Sequence, residues 1–162
     1  MPAWPELCCL ARMKTILVGA DGSARQKAIL SAAAELARRT RAKLILFRAV
    51  SLPTELPPEA YLMAPDEVTK ILERRAQAAL EEAARDVPSE LIAKLHVAIG
   101  VPWQTICRAA KEDDADMIVI GSHGYDTLDK VLGTTAAKIV NHADRSVLVV
   151  RAAERITATM SG

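Results

Sequence analysis

The sequence predicts a single α/β domain with a five-stranded parallel sheet in the order 3-2-1-4-5 and helices on both faces. Short apolar runs alternate with longer segments of helical periodicity along most of the 162 residues, a pattern typical of βαβ units. The runs are continuously apolar, as expected of strands that helices cover on both sides. Glycine-rich turns follow the first and fourth runs, so these two strands are expected to flank the point where the strand order reverses.

Composition excludes several classes of function. The chain is 51% hydrophobic but only 3% aromatic, so its core must consist mainly of aliphatic side chains. Lys and Arg number 21 against 20 Asp and Glu, which leaves no basic field for a nucleic acid. No apolar run approaches the roughly 20 residues that cross a bilayer. We therefore expect neither a nucleic-acid partner nor a membrane span.

The cysteines and the first residues indicate a cytoplasmic setting. Cys8, Cys9 and Cys107 form neither an even disulfide framework nor the paired CxxC motifs of a zinc site. Met1–Ala11 lacks the basic and extended apolar regions of a secretory signal. We expect residues 1–12 to be an N-terminal extension, 13–151 to be the folded domain and 152–162 to be a C-terminal tail.

The first half of the domain predicts two strands and two helices. Thr15–Val18 is rich in β-branched residues and leads into the turn Gly19–Ser23, where Ser23 is expected to cap the first helix. The second strand is Lys43–Val50. Four prolines then predict a long irregular loop over Ser51–Pro65, which could act as a lid. The apolar positions of the two helices are Ile29, Ala33, Leu36 and Ala37, and then Val68, Ile71, Leu72, Ala76, Ala79, Leu80, Ala83 and Val87.

The second half predicts three more strands. They are expected at Leu91–Ile99, Asp116–Gly121 and Ser146–Arg151. We expect His96 and Cys107 to be packing residues, because the sequence shows no ligand or side-chain partner for either. The two intervening helices are marked by Trp103, Ile106, Cys107 and Ala110, and by Ala136, Ile139, Val140 and Ala143.

A pair of glycine elements after the fourth strand suits a phosphate. The sequence has neither GxxxxGK[ST] nor GxGxxG, so a Walker loop and a dinucleotide fingerprint are excluded. What remains is Gly121-x-x-Gly124, then eight residues, then Gly133-Thr134-Thr135. Small residues admit phosphate oxygens to the backbone, and N–H groups at a helix start carry partial positive charge. The alternative is that these glycines only make tight turns.

Together these segments resemble the universal stress protein family, in its nucleotide-binding branch. The resemblance covers Lys14–Arg151 and rests on Val-Gly-x-Asp-Gly-Ser at the first turn, Gly100-x-Pro102, Gly-Ser-His-Gly after the fourth strand, Gly133-Thr134 and the closing Ser-Val-Leu-Val-Val-Arg. It implies a Rossmann-like fold of the adenine nucleotide alpha hydrolase-like type. It also implies that the protein binds ATP, or ADP or AMP, with or without Mg²⁺, and forms a homodimer.

The resemblance assigns roles to individual residues. Ala20, Asp21 and Val50 would lie near the adenosine, whereas the ribose and phosphates would be surrounded by Gly121, Gly124, Gly133, Thr134 and Thr135. One departure concerns the interval between Gly124 and Gly133, which has eight residues where the family pattern has nine. Asp21 has an alternative reading, because an aspartate before Gly-Ser is often simple turn chemistry.

Efficient hydrolysis of ATP is not predicted. The sequence shows no nucleophile or orienting partner for His123. Asp126 and Asp129 could cap a helix as easily as hold Mg²⁺. The first hypothesis is therefore a stress-response regulator that binds an adenine nucleotide. The second is a nucleotide-independent dimer of the same fold, and the third is a slow ATPase.

The fifth strand is the expected dimer surface. As a sheet edge it would expose unpaired backbone groups and the apolar side chains of Val147, Leu148, Val149 and Val150. A second copy would cover this edge. The alternative is that a helix or the C-terminal tail shields the edge within one chain.

Overall fold

The computed structural model describes residues 13–52, 58, 62–122 and 132–151. Its five strands form one sheet in the order β3-β2-β1-β4-β5, and every pairing is parallel. Both the sheet and its order are therefore confirmed. The strands are β1 (Thr15–Gly19), β2 (Lys43–Val50), β3 (Ile92–Ile99), β4 (Met117–Gly121) and β5 (Ser146–Val150).

Four helices cover the two faces of the sheet, as the sequence predicts. They are α1 (Gln26–Thr40), α2 (Pro65–Ala84), α3 (Pro102–Glu112) and α4 (Thr134–His142), and a 3₁₀ turn (Ser89–Leu91) precedes β3. One core joins α1 and α2 to the side chains of Ile16, Val18, Leu44 and Leu46. The other joins α3 and α4 to those of Leu17, Ile45, Phe47 and Ile118. Neighbouring strand residues thus point into opposite cores.

The adjacency of β1 and β4 is fixed by Asp116, immediately before β4. Its Oδ2 accepts hydrogen bonds from the backbone N–H groups of Lys14, at 2.7 Å, and Thr15, at 2.9 Å. The N–H of Asp116 donates to the carbonyl of Thr15 at 2.8 Å. One side chain therefore holds the beginnings of both strands in register, which brings their carboxyl ends together.

Two local predictions are wrong. Ser23 does not cap α1, because the helix begins at Gln26 with Arg25 at the N-cap position. The Ser23 hydroxyl instead accepts from the N–H of Arg25 at 3.3 Å, so a turn occupies the residues before the helix. Val140 is 45% exposed on α4, whereas Ile139 is buried, because the inward face of this short helix is narrower than its apolar stripe.

His96 has a partner that the sequence did not reveal. Its Nδ1 lies 2.6 Å from Oδ2 of Asp113, and Oδ1 of the same carboxylate accepts from Nζ of Lys94 at 2.6 Å. Asp113 follows the last residue of α3, so only packing of α3 on the sheet makes the pair. Cys107 packs against the second core, and desolvation raises the pKa of its thiol.

Several expectations fall outside the described residues. These are the N-terminal extension, most of the proline-rich loop, the C-terminal tail and the segment 123–131. Among the described helices, none is both long and apolar enough to cross a membrane.

Candidate functional site

The turns that follow β1 and β4 meet at the carboxyl edge of the sheet. Val18 of β1 lies opposite Val119 of β4, so the two strands are neighbours. The next strand after β1 lies on one side of this pair, and the next strand after β4 lies on the other side. This is the topological switch point where ligands bind in folds of this type. A small cleft between the two turns is lined by Asp21, Ser23, Arg25, Ile29, Gly121, Ser122 and Val150.

The β1–α1 turn is held by its own hydrogen bonds. Oδ1 of Asp21 accepts from the N–H of Ser23 at 2.9 Å, and Oε1 of Gln26 accepts from the N–H of Gly22 at 2.8 Å. The N–H of Ala20, which is buried, donates to the carbonyl of Phe47 at 2.7 Å. Asp21 therefore does perform turn chemistry with one carboxylate oxygen. Its Oδ2 accepts no hydrogen bond from another described residue, and Asp21 lines the cleft.

The start of α4 is anchored to the end of β4. The N–H of Ser122 donates to the carbonyl of Val150 at 3.0 Å, and the N–H of Gly133 donates to the carbonyl of Ser122 at 2.9 Å. Gly133 is the N-cap of α4 and has no side chain with which to cap it. In an α-helix the first N–H groups lack intrahelical acceptors. An anion at this end would meet these donors and the positive end of the helix dipole.

This anchor bears on the short interval between the two glycine elements. Gly124 and the residues up to 131 lie outside the described residues, as do His123, Asp126 and Asp129. The interval nevertheless departs from Ser122 and returns to Gly133, which a hydrogen bond joins directly. A loop with closed ends can lose a residue while its ends stay in place. The hydrogen bond therefore fixes the position of the helix start relative to the end of β4, whatever the length of the interval.

Gly121 has a packing reason to be glycine. A Cβ atom built at this position would lie 2.6 Å from Cδ1 of Ile29, which is 2% exposed in the first core. An added Cβ atom would therefore force the buried side chain of Ile29 to shift, so glycine suits the close approach of α1 to β4. Gly121 therefore has a packing role in addition to any contact with a ligand. The sequence around Gly121 does not predict this role, because Ile29 is distant in the chain.

Val50 lies at the same edge, one strand further from β4. Its carbonyl accepts from the N–H of Gly100 at 2.9 Å, and it is half-buried. Val50, Ala20, Thr134 and Thr135 do not line the small cleft, although all four lie at the carboxyl edge. The two threonines are exposed on the first turn of α4.

Two arginines at this edge were missed by sequence reasoning. Arg25 lines the cleft. Arg48 is half-buried near the end of β2, and its guanidinium packs against Gly22. A signal did exist, since Arg48 is the one charged residue between Leu44 and Val50. Together they place positive charge around a turn that otherwise carries Asp21.

A larger, shallow groove of about 570 Å³ lies elsewhere, between α2 and β3. It is lined by residues such as Glu73, Gln77 and His96 and contains none of the residues at the switch point. We place the functional site at the switch point, because Arg25 and Ser122 line the cleft there and Ser122 holds the start of α4 through Gly133. In the described ranges, no three acidic, histidine or cysteine side chains are arranged to hold a metal ion.

Comparison with known proteins identifies the family. The model of the universal stress protein family matches residues 13–151. The chain belongs to the universal stress protein family. The universal stress protein A homolog 1 of Coxiella burnetii is 31% identical over 140 residues, which cover 85% of this chain and 95% of the relative.

Solved structures of universal stress proteins share the fold. UspA from Lactobacillus plantarum superposes with a TM-score of 0.69 at 27% identity, covering 86% of this chain and 99% of that one. A universal stress protein in complex with cAMP has a TM-score of 0.54 at 23% identity, with 86% and 97% coverage. At that identity the second likeness is one of fold.

Proposed function

We propose that this universal stress protein is a regulatory module that binds ATP or a related adenine nucleotide such as ADP or AMP, with or without Mg²⁺. The observation that carries the proposal is the hydrogen bond from Gly133 to Ser122. It holds the uncapped start of α4 at the switch point, beside the turn that contains Asp21. The complex of a related universal stress protein with cAMP supports an adenine nucleotide as the ligand class.

Each part of the nucleotide has proposed contacts. The adenosine lies against Ala20, Asp21 and Val50, at the ends of β1 and β2. Backbone donors and hydroxyl groups at the ends of β4 and α4 surround the ribose and phosphates, from Gly121, Gly124, Gly133, Thr134 and Thr135. Because Oδ1 of Asp21 is occupied by Ser23, Oδ2 is the oxygen that accepts from the adenosine.

We propose that nucleotide binding acts on a homodimer surface formed by β5. We also propose that the protein is cytoplasmic. In the described part of the chain β5 pairs only with β4, and Leu148 is 37% exposed on it. The dimer strand consists of Val147, Leu148, Val149 and Val150. Val150 also lines the cleft and accepts from Ser122, so a ligand in the cleft touches the last residue of the dimer strand.

The site is tested by titrating the protein with ATP, ADP, AMP and adenosine in a calorimeter and by replacing Asp21 with Asn. Asn keeps a carbonyl oxygen for the turn bond to Ser23 but replaces the second acceptor oxygen with a donor. We expect adenosine and ATP to bind about 10-fold to 100-fold more weakly, the range of a hydrogen bond to a charged group. The matched control is Asp114→Asn, an exposed carboxylate with positive φ, which should leave affinity unchanged. Equal affinities for Asp21→Asn and the wild type would remove Asp21 from the site.

One observation favours the nucleotide-independent alternative. The N–H groups of Gly22 and Ser23 are already satisfied by Gln26 and Asp21, so the turn needs no ligand to be complete. Thermal unfolding separates the two hypotheses, because a ligand at 100 times its Kd adds about 2.7 kcal/mol of stability. An unchanged melting temperature with saturating Mg-ATP would favour the nucleotide-independent dimer. Release of ADP from bound ATP would instead indicate a slow ATPase.

A further inference from the structure

Arg48 is a charged residue on a strand face that helices cover. It lies two residues before Val50 on β2, next to β1, and by the alternation of strand side chains it points to the face that α1 and α2 cover. A Cβ built on Gly22 would lie 2.9 Å from Nη2 and 3.0 Å from Nη1 of Arg48. Gly22 has φ +74°, so the glycine provides both the turn and the space for the guanidinium.

The guanidinium of Arg48 makes no hydrogen bond or ion pair with another described residue. An arginine has five N–H donors, and those of Arg48 remain accessible to water and therefore to a ligand. Arg145 differs, since its guanidinium is bonded to the carboxylate of Asp144 and to the carbonyls of Ala110 and Ala115. Arg48 is half-buried like Arg145 but has been left with open donors at the edge where a ligand is expected.

We propose that Arg48 binds a phosphate group of the nucleotide and so makes the site specific for phosphorylated adenine nucleotides over adenosine. This inference rests on the proposed function. The planar guanidinium matches two phosphate oxygens at once, which an ammonium group does not. Arg48 does not line the small cleft itself, but its guanidinium packs against Gly22, the residue after Asp21. It would meet a phosphate on the side away from the amide donors at the start of α4. The phosphates are then held from two sides.

The test compares ATP and adenosine as ligands for the wild type and Arg48→Gln, each measured by calorimetry. Arg48→Gln should weaken ATP binding about 10-fold to 100-fold and leave adenosine binding unchanged. Arg48→Lys keeps the charge without the planar fork, so we expect an intermediate loss. Arg75→Gln is the matched control, because Arg75 is exposed on α2 and its loss changes the net charge equally. It should leave both affinities at the wild-type value.

The possible results separate this inference from the proposed function. If the wild type binds both ligands and Arg48→Gln weakens them equally, Arg48 only positions the turn and the inference is wrong. It is also wrong if Arg48→Gln changes neither affinity. If the wild type binds neither ligand, the proposed function fails and this inference fails with it. Melting temperatures of all variants show whether each is folded, and Arg48→Lys remains a test if the glutamine variant is not.

Discussion

Replacement of Asp113 by Asn tests the ion-pair cluster that joins α3 to the edge of the sheet. The carboxylate accepts from His96 at 2.6 Å and from Lys94 at 2.6 Å. Its side chain is 11% exposed, whereas that of Lys94 is 48% exposed. The two contacts therefore differ in how strongly water screens them.

The magnitude follows from this difference. The shielded contact with His96 contributes about 1.5–3 kcal/mol, as hydrogen bonds to charged groups do. The exposed pair with Lys94 contributes about 0–1 kcal/mol. Asp113 also places a negative charge at the C-terminal end of α3, and removing it regains about 0.3–1 kcal/mol. The net loss of stability should be about 1–3 kcal/mol.

Urea denaturation at neutral pH measures this loss, with Asp114→Asn as the adjacent control. Asp114 is exposed and interacts with Arg145 through a Coulombic attraction that water screens, so its replacement should change the free energy of unfolding by less than about 0.5 kcal/mol. If Asp113→Asn destabilises the protein no more than the control does, the cluster does not stabilise the fold and the reasoning is refuted.

The pH dependence provides a second check. Desolvation raises the pKa of Asp113, but hydrogen bonds from Lys94 and His96 outweigh it, and the pKa lies below its usual value. A lowered pKa means that the contribution is fully present above the unfolded value of about 3.9 and is lost as pH falls through the folded value. The wild type and Asp113→Asn should therefore converge in stability on acidification. A constant difference down to the lowest pH at which the protein is folded would contradict this.

Two further predictions concern packing and assembly. Gly121→Ala should destabilise the protein by about 1–3 kcal/mol, and the double variant with Ile29→Val, which removes the contacted Cδ1 atom, should lose less than the sum of the single variants in urea denaturation; strictly additive losses would refute the contact. In sedimentation equilibrium we expect the wild type to be a dimer and Leu148→Lys to be a monomer. Leu52→Lys, at a residue that is 58% exposed and lies two positions after β2, should remain a dimer. A dimer that survives Leu148→Lys would exclude β5 as the interface.

Much of the fold was predictable because it depends on local patterns. Continuous apolar runs mark strands buried on both faces, and the positions of glycine turns predicted which strands flank the switch point. The errors occurred at helix boundaries and faces. Ser23 is a residue type that often caps helices. Here the side chains of Asp21 and Gln26 accept hydrogen bonds within the turn, and α1 begins only at Gln26.

The candidate site was predictable in its residue types but not in its geometry. The sequence indicated Asp21, Gly121 and Gly133 from turn chemistry and from the family resemblance. The spacing alone could not show that Gly133 returns to Ser122 or that Gly121 admits Ile29. Both depend on how α1 and α4 approach the end of β4.

The sequence by itself determined the fold class, the order of the strands and the edge at which a ligand should bind, since periodicity and glycine turns act over a few neighbouring residues. Only the tertiary structure decided which distant groups meet. The carboxylate of Asp113 reaches His96, and Arg48 lies against Gly22 with open donors. Such contacts depend on helix packing and strand register, which combine many weak interactions across the whole chain, so no single stretch of residues records them.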